Sequence, residues 1–388
     1  MPTLDDDHTG ARIREQRRLA RLTQRGLSDR IPYSYSLLNQ VECGARPATD
    51  DFVDAVARAL KVEVTVLTGQ HMQHDRLTAL VRPIREALDL YDIEPTAAAT
   101  RSADDLSAEA DFVCQQVRAT HLHKAATALP GIITELTCLG FTSPTTSTWQ
   151  ALASSYRTAA DIALKLGYPD LSTVALDRMS WAAERASDPC LAAVRQYKRA
   201  LAYKDGEHDI GRRLIASGHE MLAGESSREA LVVAGQLHLG ASAVAARAGD
   251  QGAVEGHIAA AREFAVRVGG EAGAVHWLSF GLKNVALHEM GASMSLRQYD
   301  HALVQARKLN LPPSTLTSRR ARFLVDRAVV EMETGHTDAA LRHLIEARRA
   351  APEQTRYLPG TRAAVTGLVH LARRTPDTLS QMASWVGM

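Results

Sequence analysis

Two histidine–glutamate pairs, His219-Glu220 and His288-Glu289, begin the pattern H-E-x-x-H, which sets two zinc ligands on one helix face. Neither is completed, because Ala223 and Ala292 stand where the second histidine is needed. His71 and His74 form H-x-x-H, and His121 and His123 form H-x-H, without cysteine or carboxylate partners at ligand spacing. The glycines of GGEAG, Gly269 to Gly273, follow no strand pattern and precede no Lys-Ser/Thr, so they read as a connecting loop rather than a phosphate cradle. No G-x-S-x-G occurs. Cys43, Cys114, Cys138 and Cys190 are scattered and form no C-x-x-C, which points to a reducing compartment. Trp149, Trp181 and Trp277 fall in helical patterns and are expected in the core. The expectation is a non-enzyme with no metal and no cofactor.

A different chemistry is concentrated near the start. Leu22 to Gly44 reads LTQRGLSDRIPYSYSLLNQVECG, an amphipathic frame crowded with small polar side chains. Between Gly10 and Pro47, eight arginines (12, 14, 17, 18, 21, 25, 30 and 46) face three carboxylates (Glu15, Asp29, Glu42), an excess of five positive charges in a chain whose net charge is +1. Such an excess suits a phosphate-facing surface.

The elements that must position these residues are helical. Aromatics make up 5% of the chain, which favours helix over strand. The first helix is ARIREQRRLARL, with Ile13, Leu19 and Leu22 as apolar anchors. Thr23 caps a second, QRGLSDRI, which Pro32 stops. Ser34 caps a third, YSLLNQVEC, with Leu38 and Val41 inward, and Gly44 ends it. Thr49 caps a fourth, with Asp50 and Asp51 at its positive end and Phe52, Val56 and Leu60 as the apolar stripe. VTVLTG makes a fifth turn.

This pattern resembles the phage-repressor/Cro-type (XRE-like) helix-turn-helix family. The resemblance rests on Leu22-Thr23-Gln24, Leu27, Tyr33-Ser34, Leu38, Val41-Glu42, Gly44 and Ala59-Leu60-x-Val62. It implies a third helix in the major groove, with Tyr35, Ser36, Asn39 and Gln40 at base edges. It also implies phosphate contacts from Gln24, Ser34 and Arg46, and a structural ion pair between Arg17 and Glu42. Pro32 departs from the glycine usual in the family's turn, so a different turn geometry is expected.

After Gly69 the pattern stays helical. DRLTALVRPIREALDLY places Leu77, Leu80, Val81, Ile84, Leu88 and Tyr91 at helical spacing around Pro83. A loop follows, with a new helix near Asp104. Gly167, Gly206, Gly249, Gly291 and Gly335 then recur 39 to 44 residues apart, each expected to turn one helix into the next. Around the last, Gly335, Ala340, Leu344, Ala347 and Pro352 resemble the packing positions of a tetratricopeptide (TPR) repeat. The TPR-like geometry would line a concave ligand face with Arg157, Asp161, Gln196, Tyr203, Lys204, Gln236, Arg247, His288, Glu289, Arg322 and Glu333.

The expected architecture is all-α: a five-helix domain over 10–69, a linker helix and loop over 70–103, and a TPR-like α-solenoid over 104–388. The combination resembles the peptide-sensing regulators of Gram-positive bacteria (the RRNPP group). It implies a transcriptional regulator that binds double-stranded DNA as a homodimer on a near-palindromic operator. The repeats would sense a signalling peptide or a small metabolite. The alternatives are a TPR-type interaction scaffold and an antitoxin-like repressor. No run approaches 18 apolar residues, and MPTLDDDHTG carries no apolar leader core. The expected location is the cytoplasm, associated with the nucleoid and with no membrane partner.

Overall fold

The computed structural model describes residues 8–62, 64–68, 70–203, 206–312, 315–372 and 376–387; of residues 65, 70–78 and 384 it describes the backbone alone. Lys204 lies outside the described residues, and the side chains of His71, His74 and Leu77 lie outside the described side chains. The fold is almost entirely helical. Among the described residues no strand forms, and Ala272 and Phe280 make an isolated bridge. The chain divides into two compact units, Met1–Ala79 with Ala372–Met388, and Leu80–Leu371.

The first unit opens with α1 (Thr9–Leu19), α2 (Gln24–Ser28), α3 (Tyr35–Glu42), α4 (Asp50–Leu60) and α5 (Val64–Thr68). Each of α2, α3 and α4 starts at a hydroxyl cap. The side chains of Thr23, Ser34 and Thr49 accept from the amides of Gly26, Leu37 and Phe52 at 3.0, 3.2 and 3.3 Å. Ile13, Leu27, Leu38, Val41, Phe52, Val56, Leu60 and Leu67 close one core. Gly10 is required at the α1–α3 crossing, because a Cβ there would lie 1.7 Å from the Val41 carbonyl oxygen.

Two expectations fail here. Leu19 is no anchor: it is 68% exposed, because α1 ends at this residue and Arg21 reverses the chain with a left-handed backbone (φ 55°). The second helix is shorter than expected, ending at Ser28, and Asp29 to Tyr33 form an irregular turn that seats Ile31 before Pro32.

Helix α6 (Gln70–Asp89) carries Pro83 in its interior, and the division between the units falls within it. The expected linker over 70–103 is therefore shared, with 80–103 in the second unit. There Val81, Ile84 and Leu88 are buried.

The second unit continues with α7 (Ala103–Arg118) and α8 (Leu122–Thr142) and then builds helix pairs. They are α9 (Thr146–Lys165) with α10 (Pro169–Ala186), α11 (Pro189–Ala202) with α12 (His208–Met221), and α13 (Arg228–Arg247) with α14 (Gln251–Val268). Next come α15 (Leu282–Ser295) with α16 (Tyr299–Lys308) and α17 (Thr317–Glu333) with α18 (Thr337–Ala350). Short α19 (Pro352–Tyr357) and α20 (Pro359–Leu371) finish this unit, and α21 (Asp377–Trp385) lies in the segment grouped with the first.

Gly167, Gly206, Gly249 and Gly335 hold the left-handed turns of their pairs. Gly291 does not: it lies inside α15, and the turn between α15 and α16 falls at Arg297 (φ 58°). The first helices of successive pairs pack on one another from α9 to α17, and α17 also packs on α7. The array thus returns on itself. The His123 amide of α8 donates to Glu353 of α19 at 2.9 Å, and Lys165 of α9 donates to Gln354 of α19.

Among the described residues two helices, Leu122–Thr142 and Arg228–Arg247, are long and apolar enough to cross a membrane by length and composition, although neither is a continuous apolar run. Half of the first window and 72% of the second are buried within this packing.

Candidate functional site

The first site is the outer face of α3. Tyr35, Ser36, Asn39 and Gln40 are exposed, while Leu38, Val41 and Glu42 are buried beneath them. Arg17 and Glu42 fasten this helix to α1. The Arg17 Nε and Nη2 each donate to a Glu42 carboxylate oxygen at 2.7 Å, and Nη1 donates to the Leu22 carbonyl at 2.9 Å. The Glu42 hydrogen bond raises the Arg17 pKa, even though burial opposes the charged form.

Gln24 ties α2 to the same face. Its Nε2 donates to Asn39 Oδ1 (3.2 Å) and Glu42 Oε2 (2.9 Å), and its Oε1 accepts from the Tyr35 hydroxyl (3.2 Å). Gln24 is thus half-buried and engaged with its neighbours. Ser34 is exposed and caps α3 by accepting from the Leu37 amide at 3.2 Å. Arg46 is exposed in the following loop.

Of the eight arginines, Arg12 and Arg17 are taken up inside the unit. Arg12 donates to the carbonyls of Leu67 and Thr68, both at 2.9 Å, closing the end of α5. Arg18, Arg21, Arg25, Arg30 and Arg46 are exposed. Cys43, at the end of α3, is the exposed cysteine of the four.

The second site is interior to the helical array. The expected concave face does not form as one surface. Arg157, Asp161 and Gln236 are buried, and His288 is half-buried. Glu333 is exposed, Glu289 pairs with Arg262 on α14 at 3.1 Å, and Tyr203 caps the end of α11. Gln196 accepts from Arg199 at 3.0 Å on its own helix, and Arg247 reaches the carbonyls of Ala200 and Leu201.

What gathers inside is a charged group drawn from several helices. Asp161 accepts from Arg118 Nη2 (2.8 Å) and Lys198 Nζ (2.5 Å). Burial disfavours its charged form, but Lys198 and Arg118 outweigh that and hold the carboxyl well below the usual range. At the exposed edge of this group Arg322 Nε donates to both oxygens of Asp326 at 2.8 and 2.9 Å. Gln236 donates to the Tyr197 hydroxyl at 2.8 Å and accepts from Asn284 at 3.2 Å.

A cavity of about 170 Å³ opens here, with Arg118, Lys165, Trp277, Arg319, Arg322 and Gln354 in its wall. Sequence reasoning found Arg322 and missed the others. No periodic signal links residues of α7, α9, α17 and α19; only the return of the array brings them together.

A segment between α14 and α15 borders the cavity. Its backbone is left-handed at His276 (φ 43°), Trp277 (φ 51°) and Ser279 (φ 60°), a conformation that side-chain-bearing residues adopt only when their surroundings hold them. Here they are held. Phe280 is fully buried against Gly235, the His276 carbonyl accepts from Arg157 Nη1 at 2.5 Å, and Trp277 Nε1 donates to Asp111 at 2.6 Å. Trp277 therefore stands in a connecting turn rather than in a helical core. Trp149 is buried as expected and Trp181 half-buried; they pack edge to face at 5.2 Å, with Arg185 over the Trp181 ring at 3.9 Å.

Two further clusters were not anticipated. Donor atoms of Asp188, Cys190 and Glu229 lie within 4.8 Å of one another. They are otherwise engaged: Asp188 caps α11 and accepts from Gln150, Glu229 pairs with His276, and burial pushes the Cys190 thiol up to about 12. His219, His238 and His257 form a stack, with ring centroids 4.6 and 5.4 Å apart. Burial and the neighbouring rings pull His238 down to about 4, so the stack is neutral at neutral pH.

No protein-family model matches the chain, and neither a curated protein nor a solved structure matches it.

Proposed function

We propose that the first unit is a helix-turn-helix DNA-binding domain and that the chain is a transcriptional regulator acting as a homodimer. The observation that carries this is the face of α3. Four polar side chains are exposed side by side on a short helix whose opposite face is locked down by a buried, bidentate ion pair. Tyr35, Ser36, Asn39 and Gln40 are of the types that pair with base edges, and glutamine matches adenine with two hydrogen bonds. The exposed arginines of the same unit supply the sequence-independent attraction to phosphate. Arg46 and the Ser34 hydroxyl would contact the phosphate backbone. Gln24 acts chiefly by orienting Tyr35 and Asn39.

A single unit of this size buries little surface on DNA. Two of them on a two-fold axis read half-sites about 34–36 Å apart. The helical array serves as the sensor. Because its interior is closed by the return of α17 and α19 to α7–α9, it favours a small ligand over an extended peptide.

The test is a selection of purified protein against random duplex DNA. An enriched near-palindrome is expected. Absence of any enriched sequence would turn the reading toward a protein-interaction scaffold.

A further inference from the structure

The cavity of the second unit has an imbalance of charge that the protein itself does not settle. Facing one another across it and just behind its wall are six cationic side chains: Arg118 from α7, Arg157 and Lys165 from α9, Lys198 from α11, and Arg319 and Arg322 from α17. Among the described residues two carboxylates pair with them, and Asp111 takes the Trp277 indole at the edge. Asp161 is shared between Arg118 and Lys198, and Asp326 is held by Arg322. His288 of α15 faces the α17 arginines and is held neutral by burial and by their charge.

Among the described residues, no carboxylate lies within ion-pair distance of Arg319 or Lys165. Arg319 Nη2 makes one long bond, 3.4 Å, to the Leu278 carbonyl, and Lys165 donates to the neutral amide of Gln354. The Nε atoms of Arg118 and Arg157 are buried without an acceptor among the described residues. Burial, with Arg118 adding to it, pulls Lys165 down to about 7, and burial with Arg118 and Arg322 lowers Arg319. Arg118, Lys165 and Arg319 are half-buried and Arg322 stands exposed at the rim. Crowding uncompensated like charges in a partly desolvated cleft is costly, and a counter-ion lowers the cost.

We propose that this cavity is the binding site for a small multivalent oxyanion, a phosphate or carboxylate group, held between Arg118, Lys165, Arg319 and Arg322. The donor set fits this class. Guanidinium forks match the paired oxygens of phosphate and carboxylate, and lysine adds a mobile point charge. Valence follows from the excess, which exceeds one charge. Size follows from the volume: about 170 Å³ is below the roughly 300 Å³ at which drug-sized pockets begin, so the site takes a compact anion or the charged head of a larger metabolite. Trp277 and Ser279 place the strained segment at its edge. Any effect of the anion on DNA rests on the regulator reading above; the binding itself does not.

The experiment is calorimetric titration of the full-length protein, without DNA, with pyrophosphate and with citrate, against sodium chloride at matched ionic strength. Saturable one-to-one binding of either anion is expected, and the ratio of the two affinities identifies phosphate or carboxylate as the source. Arg319→Gln should weaken binding at least tenfold. The same substitution should raise the melting temperature in anion-free buffer, because it removes an unpaired cation. Arg213→Ala, at an exposed arginine of α12, should leave anion binding unchanged. No saturable heat beyond the chloride control with either anion, or equal affinity in Arg319→Gln, would overturn the proposal.

Discussion

Gln40 and Glu42 are neighbours on one helix with opposite duties. The Gln40 side chain is exposed, so Gln40→Ala should leave stability within about 0.5 kcal/mol. If it reads a base, it should cost roughly 1–3 kcal/mol on the preferred operator and relax the preference at one position. Gel-shift titration on operator variants checks this, and an unchanged base preference would place the reading residues elsewhere. Glu42 is buried and satisfies three donors from Arg17 and Gln24. Glu42→Ala leaves Arg17 charged and unpaired and should cost about 3–5 kcal/mol of the first unit's stability by chemical denaturation. Arg46→Ala should weaken binding to all sequences alike and flatten the salt dependence by roughly one unit of slope. At this scale the caps were legible: Thr23, Ser34 and Thr49 each precede an apolar-periodic run, and each accepts the amide three residues on. Leu19 was not, since periodicity cannot see that the helix ends there and turns its last apolar side chain to water.

Helices meet where side chains are small enough, and Gly10 shows how tightly. Gly10→Ala would drive a methyl group into the Val41 carbonyl, which belongs to backbone and cannot rotate away. It should cost about 3 kcal/mol or more and loosen α3 from α1, seen as lost protection of α3 amides in hydrogen exchange. Between α12, α13 and α14 the histidine stack adds a pH dependence. His238 binds its proton less readily folded, near 4, than unfolded, near 6.5. The unfolded chain therefore takes up protons first as the solution is acidified, and the second unit should lose stability from about pH 6.5 down to about 4. His238→Phe should blunt that loss in melting curves across this range. The helix pairs were legible through glycine, with Gly167, Gly206, Gly249 and Gly335 all in left-handed turns. Gly291 misled because a glycine inside a helix leaves the same mark in sequence as one that ends it, and Arg297 turned the chain instead.

Over the whole molecule, two units with separate cores should unfold in two calorimetric steps rather than one. The oxyanion should move the step of the helical array and leave the other in place. With sulfate, a dianion throughout, affinity should fall as pH rises through about 7, where Lys165 gives up its proton beside Arg118, Asp161, Lys198 and Arg319. The all-helical class was legible from composition, and the cavity was not. Its cations come from helices far apart in the chain, and each alone looks like a solvated charge. Cys43 has a practical consequence. Its thiol is exposed at the end of α3 while Cys114, Cys138 and Cys190 are buried, so a maleimide spin label should attach at a single position per chain. In a dimer the two nitroxides would then act as a molecular ruler, and dipolar spectroscopy would read the separation of the two α3 helices directly, with and without the anion.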